Sequence, residues 1–315
     1  MKIKLGVIMD PLTTINVKKD STLAMLEEAQ QRGWTVFYMQ PQDIFIEDGV
    51  CMASMHGLIV DLKHHPWFTL QEPIIQPLAE LNVVLMRKDP PFDMEYIYTT
   101  YLLELAETAG VLVINKPQSL RDANEKIFTC QFPQCCPPSL VSKNMQQLRG
   151  FVEKHRDVIV KPLGGMGGYR IFRIRPEDSN LSVILETMTE YGQQFCMAQR
   201  FIPEIIYGDK RVIVIDGEPV PFALARIPKT GEIRGNLAAG ARAEVIPLSE
   251  RERWICAQVA PTLREKGLMF VGLDIIGDYL TEINVTSPTC IREIEAASDV
   301  KISRMLFDKI NLKLT

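Results

Sequence analysis

The stretch GLDIIGDYLTEINVTSP, residues 272–288, carries Asp274, Glu282 and Asn284 inside two hydrophobic strand runs. Register decides whether these three side chains meet, because strand side chains alternate between faces. A two-residue turn at Gly277–Asp278 would pair Ile276 with Tyr279 and set Asp274 opposite Thr281. A three-residue turn through Tyr279 pairs Ile276 with Leu280 and sets Asp274 opposite Glu282. The apolar pattern favours the longer turn: Val271, Leu273 and Ile275 then share a face with Ile283 and Val285, and Asn284 joins the acids. Facing carboxylates repel unless a cation or proton intervenes. Two carboxylates and an amide oxygen, without His or Cys, form a hard-oxygen set suited to Mg2+ or Mn2+. A polar face turned to solvent and the acid pair of a glycosidase are the competing readings.

A second motif favours phosphate chemistry. In VIVKPLGGMGGYR, Lys161 ends a β run and is followed by Gly164, Gly165, Met166, Gly167 and Gly168. Such a loop lets backbone N–H groups approach phosphate oxygens without Cβ obstruction. It is neither a Walker A motif nor a GxGxxG opening a helix. A third cluster holds Arg211 and Arg226 in strand-like segments, with Arg234 and Arg242 in the glycine-bearing stretch ARIPKTGEIRGNLAAGAR, which reads as a mobile loop. These cations suit clamps on phosphate and carboxylate charge; a solvated basic face is the alternative.

The chain that positions these groups has 315 residues, 46% hydrophobic, which supports two or three subdomains rather than one. A net charge of −4 with interspersed signs argues against a nucleic-acid surface or polybasic membrane tail. The N-terminal MKIKLGVIMDP is too short in apolar residues for a signal peptide, and no run suits a membrane span. A cytoplasmic location is expected. Seven cysteines without a CxxC pair do not suggest a disulfide scaffold or thiolate zinc site. Cys135–Cys136 reads as two reduced thiols rather than a redox pair, and His64–His65 as polar loop residues.

The first 120 residues alternate strand and helix signals. Strands are expected at 4–10, 34–40, 83–89 and 111–115, with helices from Asp20 to Gly33 and over 93–109, a rhythm typical of an open, mostly parallel α/β sheet. Ser119 with Asp122 reads as the start of a helix carrying Lys126. Beyond it come a helix at 142–154, strands at 157–162, 169–175 and 195–201, and a helix near 181–191. The strands at 169–175 and 195–201 read as one antiparallel unit. A hairpin turning at Asp216–Gly217 and a helix with a Ser249/Glu252 capping box precede the opening hairpin. The expected lobes are 1–122 (substrate-binding), 123–203 (central) and 204–315 (metal and catalytic).

The motifs VKPLGGMGG, ARIP…RGNLAAG and GLDIIGDYLTEINVTSPTCIREIE resemble those of bacterial glutathione synthetases, which are ATP-grasp carboxylate–amine ligases. MDP (9–11), VLMRKDPPFD and NKPQSLRDANEK extend the resemblance over nearly the whole chain. Ala241 and Ala243 depart from it, standing where glycines are expected, and should stiffen the loop. The resemblance implies an ATP-grasp fold and ATP-dependent condensation of γ-glutamylcysteine with glycine. It gives Lys126 and Lys161 to the ATP phosphates, with the loop at 164–168. The backbone of Gln199, Arg200, Phe201 and Ile202 goes to adenine, and Asp209 also goes to the nucleotide. Asp274, Glu282 and Asn284 would hold Mg2+. Arg211 would steady the phosphate in transfer; Arg226, Arg234 and Asn236 would serve substrate and lid. Arg87, Ser287 and Thr289 would touch the dipeptide. A homo-oligomer, a tetramer by resemblance, is implied as well. Other ATP-grasp ligases, of D-alanine–D-alanine or glutamate-adding type, and a small-acid kinase share the first half of this chemistry.

Overall fold

The computed structural model describes residues 2–314 except Met166, Thr230, Ile233, Arg234 and residues 236–239. Seven strands form the first sheet: β1 (Lys4–Ile8), β2 (Thr35–Met39), β3 (Ile44–Glu47), β4 (Val50–Val60), β5 (Phe68–Pro77), β6 (Val83–Met86) and β7 (Leu112–Ile114). Strands β2, β1, β6 and β7 run parallel, with β1 central and apolar on both faces, as a parallel strand covered by helices requires. The sheet is less uniformly parallel than the sequence suggests. Residues 44–77, where no strand is expected, add β3, β4 and β5 as antiparallel neighbours. Strand β5 is exposed or half-exposed throughout and so lacks the buried alternation that marks a strand.

Helices α1 (Ser21–Gln31) and α2 (Met94–Thr108) begin where Asp20 and Asp93 accept the N–H groups of Leu23 and Tyr96. They stop just before Gly33 and Gly110, both at positive φ. The short α3 (Pro117–Asp122) corrects the sequence reading. It starts at Pro117 rather than Ser119, whose hydroxyl instead bonds the Lys266 carbonyl, and it ends before Lys126.

The second sheet is antiparallel, order β10-β9-β11-β8, from β8 (Ser139–Ser142), β9 (Val158–Pro162), β10 (Phe172–Ile174) and β11 (Cys196–Arg200). Here β10 and β11 do not pair with each other, as expected from sequence, but flank β9. Helices α4 (Met145–His155) and α5 (Leu181–Thr189) cover this sheet and close a core of its own around Leu148, Val160 and Leu185. The third sheet, order β14-β13-β12-β15-β16, comprises β12 (Asp209–Ile215), β13 (Glu218–Ile227), β14 (Arg242–Pro247), β15 (Phe270–Ile276) and β16 (Tyr279–Asn284). It packs with α6 (Glu250–Glu265), α7 (Ile291–Ala297) and α8 (Ile302–Leu314).

The first and third sheets share their cores: Val84 and Met86 lie in one cluster with Leu273 and Ile283, and Leu5 in another with Ile213 and Phe307. Asn115, at the end of β7, ties them further. Its amide donates to the Phe270 and Val285 carbonyls and its oxygen accepts the Phe270 N–H, all at 2.8 Å. No helix among the described residues is long and apolar enough to cross a membrane.

Candidate functional site

The two acids of the last hairpin do face each other: Asp274 pairs with Glu282. The route to that register differs from the expected one. Ile276 pairs with Tyr279 across a two-residue turn, and a β-bulge at Thr281 then restores Asp274 opposite Glu282. The Thr281 hydroxyl donates to the Asp274 carbonyl at 3.0 Å and fills the gap. Val271, Leu273, Ile275, Ile283 and Val285 are fully buried on the other face.

The polar face opens into a cleft of about 320 Å3 lined by the second and third sheets and by Asp89 and Pro90 of the loop after β6. Its apolar lining comes from Ile159, Ile171, Phe201, Ile202, Ile205 and Ile276, and its polar lining includes Lys161, Arg211, Arg226, Asp274, Glu282 and Asn284. Gly167, Gly168, Gln199, Arg200, Asp209, Ser287 and Thr289 also line it. At the end of β11, the N–H groups of Arg200 and Phe201 are already given to the Pro138 and Asp157 carbonyls, at 3.0 and 2.9 Å. Among the described residues the Ile202 N–H has no such partner. Gly167 and Gly168 sit at φ +67° and +80°, where a side chain would be strained.

Arg211 grips Asp274 through a fork, Nε to Oδ1 at 2.6 Å and Nη2 to Oδ2 at 3.1 Å. Arg226 reaches the same Oδ2 at 3.0 Å and Asp209 at 2.5 Å. Burial alone would raise the Asp274 carboxyl, but the two guanidinium groups outweigh it and hold it well below the usual carboxylate range. Asp209 goes the other way: burial pushes it up to about 7 despite Arg226. Glu282 faces Lys161 Nζ at 3.3 Å and Lys126 Nζ at 3.7 Å. These lysines overcome its burial and keep it ionised.

Three described residues placed on the nucleotide by resemblance, Lys126, Gly164 and Gly165, stand outside the cleft lining. Lys126 donates to the Gly165 carbonyl at 2.7 Å, which fastens the glycine loop beside Glu282. Gly164 leaves open space where a Cβ would stand. Arg87 is buried behind the cleft, donating to Thr22 Oγ1 at 3.1 Å and the Pro288 carbonyl at 2.8 Å. Met166, Arg234 and Asn236 lie outside the described residues.

The sequence reading passed over several lining residues. Ile159 and Ile276 were accessible to it, since strand period two places them beside Lys161 and Asp274. Asp89, Glu125 and Thr286 carried no local signal. All seven cysteines are free, and burial pushes the Cys136 thiol up to about 12.

Asp274, Glu282 and Asn284 can serve a hard divalent cation. Among the described residues Glu282 Oε2 has no partner, Asp274 Oδ1 accepts one bond, and Asn284 donates its amide to the Gly272 carbonyl at 3.2 Å, leaving its oxygen as an acceptor.

The chain matches two prokaryotic glutathione synthetase families, the N-terminal domain over residues 3–121 and the ATP-grasp domain over residues 125–299. It belongs to the prokaryotic glutathione synthetase family. Relatives in this family include the glutathione synthetases of Pseudomonas aeruginosa, 61% identical over 100% of this chain and 99% of the relative, and of Vibrio cholerae, 58% identical over 99% and 98%. D-cycloserine synthetase DcsG superposes with a TM-score of 0.69 at 14% identity, over 98% of this chain and 99% of that one. The ATP-grasp ligase PsnB, solved with minimal precursor, Mg and ADP, gives 0.64 at 18% identity, over 99% and 98%. These two likenesses speak to the ATP-grasp fold alone.

Proposed function

We propose that this chain is an ATP-dependent ligase joining γ-glutamylcysteine to glycine, releasing glutathione, ADP and phosphate. The observation that carries this reading is the cleft's lining: apolar side chains of two sheets share it with Lys161, Arg211, Arg226 and the facing carboxylates Asp274 and Glu282, with Lys126 beside Glu282. A purine fits the apolar side chains, beside the free Ile202 N–H, and a polyphosphate fits the cations.

Lys126 and Lys161 hold the phosphate chain, while Arg211 and Arg226, fixed by Asp274 and Asp209, neutralise charge that develops on the transferred group. Asp274, Glu282 and Asn284 would hold Mg2+ or Mn2+, which when bound supplies Lewis-acid compensation of phosphate charge. The cysteinyl carboxylate attacks the γ-phosphorus and ADP leaves. Glycine, once its ammonium has given up a proton, attacks the acyl carbon of the resulting acyl phosphate through its free amine; phosphate leaves, and the amide nitrogen sheds a second proton. No protein nucleophile is needed; the chain's work is positional and electrostatic. The stretch around residues 229–241 is proposed to exclude water from the acyl phosphate. The division into lobes at 122/123 and 203/204 belongs to the same proposal, supported by the separate core of the second sheet.

A homo-oligomer in the cytoplasm completes the reading. Tyr98, Tyr101 and Leu105 on α2 and Ile59 and Ile75 on β4 and β5 are exposed apolar groups available for self-association, and free thiols suit a reducing compartment. The deciding experiment is ADP release measured with each candidate acid, with and without glycine. Stoichiometric ADP and tripeptide from γ-glutamylcysteine plus glycine is expected. ADP from the acid alone, with a stable phosphorylated product, would instead identify a kinase.

A further inference from the structure

Five carboxylates line the cleft: Asp89, Glu125, Asp209, Asp274 and Glu282. Three are paired with cations at short distance, Asp209 with Arg226, Asp274 with Arg211 and Arg226, and Glu282 with Lys161 and Lys126. Asp89 and Glu125 make no ion pair among the described residues. An unpaired carboxylate facing a substrate cleft is a receptor in want of a cation.

Their placement is built rather than incidental. Asp89 follows β6, and its N–H donates to Asp10 Oδ2 at 2.9 Å, just beyond β1. Lys88 closes the same loop pair by bonding Asp10 at 2.8 Å and the Asp89 carbonyl at 2.8 Å. These loops sit at the carboxyl ends of β1 and β6, where the chain's strand order changes direction, the position at which open α/β sheets bind ligands. Glu125 is tied to the last hairpin and the turn after it, its carbonyl accepting the Ile283 N–H at 2.8 Å and its Oε1 the Thr286 hydroxyl at 3.0 Å. Tyr96, only 4% exposed, packs near both carboxylates: Glu125 and Asp89 are among its charged neighbours.

The substrates of the ligase reading, on which this inference rests, bring two ammonium groups into one cleft. We infer that Asp89 receives the α-ammonium of the γ-glutamyl residue and Glu125 the ammonium of glycine. The assignment follows from reach. Glycine's nitrogen must come within bonding approach of the acyl carbon, beside the transferred phosphate. Glu125 is the one of the pair whose charged neighbours, Glu282, Lys126 and Arg211, belong to the phosphate end. The γ-glutamyl ammonium lies several bonds from the reacting carboxylate, which suits Asp89, in the loop after β6 and bonded to Asp10 rather than to the phosphate-end charges.

The test is crossed steady-state kinetics on the full chain with Asp89→Asn and Glu125→Gln, using γ-glutamylcysteine and glutarylcysteine, the same acid without its α-ammonium. Loss of one charge-assisted contact corresponds to about tenfold or more. Asp89→Asn should raise KM for γ-glutamylcysteine by about that factor, leave KM for glycine and ATP unchanged, and erase the preference over glutarylcysteine. Glu125→Gln should raise KM for glycine and preserve that preference. An unchanged preference in Asp89→Asn, or both variants acting on the same substrate, or a fall in kcat alone, overturns the inference. Stabilisation by ADP checks folding, and Asp89→Ser replaces Asp89→Asn in the same comparison if that variant does not fold. Wild-type turnover separates the two levels: without it the ligase reading fails, whereas turnover with an unchanged preference sinks only the ammonium assignment.

Discussion

Glu282→Gln should lower the stability of the nucleotide-free protein and let nucleotide restore much of it. Glu282 Oε1 is the carboxylate oxygen nearest to both Lys161 and Lys126, at 3.3 and 3.7 Å, and these lysines are only 5% and 3% exposed. Stripping the anion from a buried pair costs about 3–5 kcal/mol. Two features reduce this here: the Glu282 side chain is 22% exposed, and the Thr281 and Gly165 carbonyls still accept from the lysines. About 2–3 kcal/mol remains after that discount. With an unfolding entropy of about 2.1 cal/mol/K per residue over 315 residues, the melting temperature should fall by about 3–5 °C. The assay is thermal unfolding in EDTA, with and without ADP. The diphosphate supplies the missing negative charge, so ADP should close at least half of the gap to wild type. A nucleotide-free variant that melts with wild type, or a gap that ADP leaves untouched, would refute the view that Glu282 balances Lys126 and Lys161 in place of a phosphate. With a divalent cation present, the same variant should need more Mg2+ for half-maximal turnover.

Gly272→Ala would place a Cβ 2.9 Å from Arg211 Cδ and 3.1 Å from its Nε, displacing the fork on Asp274; turnover should drop about tenfold or more, and undiminished kcat would count against that fork's role. The Asp209 carboxyl rises from 3.8 to about 7 on folding, so its contribution to stability is greatest in acid and is lost as pH rises through about 7. The melting temperature of wild type relative to Asp209→Asn should therefore decline from pH 5 to about 7 and then level off; a difference that grows with pH would reverse the sign of this argument. Ser249→Ala removes half of the α6 capping box and should cost about 1 kcal/mol in urea unfolding while kcat stays unchanged.

Local chemistry was legible in the sequence because its causes are local. Asp20, Asp93 and Ser249 cap helices through N–H groups three residues away, and Asp216–Gly217 turns a hairpin with both residues at positive φ. The Asp274–Glu282 register was also legible, since only one pairing buries Val271, Leu273 and Ile275 together with Ile283 and Val285. The bulge at Thr281 was not. A shorter turn plus a bulge yields the same register as a longer turn, and an apolar pattern cannot distinguish them.

What the sequence by itself determined, then, is the chemical inventory: a hard-oxygen set on one strand face, a lysine ahead of a glycine loop, arginines in neighbouring strands, and the family. Tertiary structure alone decided which charge answers which. Lys161 meets Glu282 across 121 positions, and Arg211 meets Asp274 across 63, by way of strand pairing between β12 and β15. The first contact depends on how the second sheet closes over the third, which no local periodicity encodes. The consequence is chemical: Asp274 and Asp209, alike in sequence, part ways, because two guanidinium groups bond Asp274 and hold it ionised, whereas burial, with the Asp274 and Glu282 charges beside it, pushes Asp209 up to about 7 against the one arginine that bonds it.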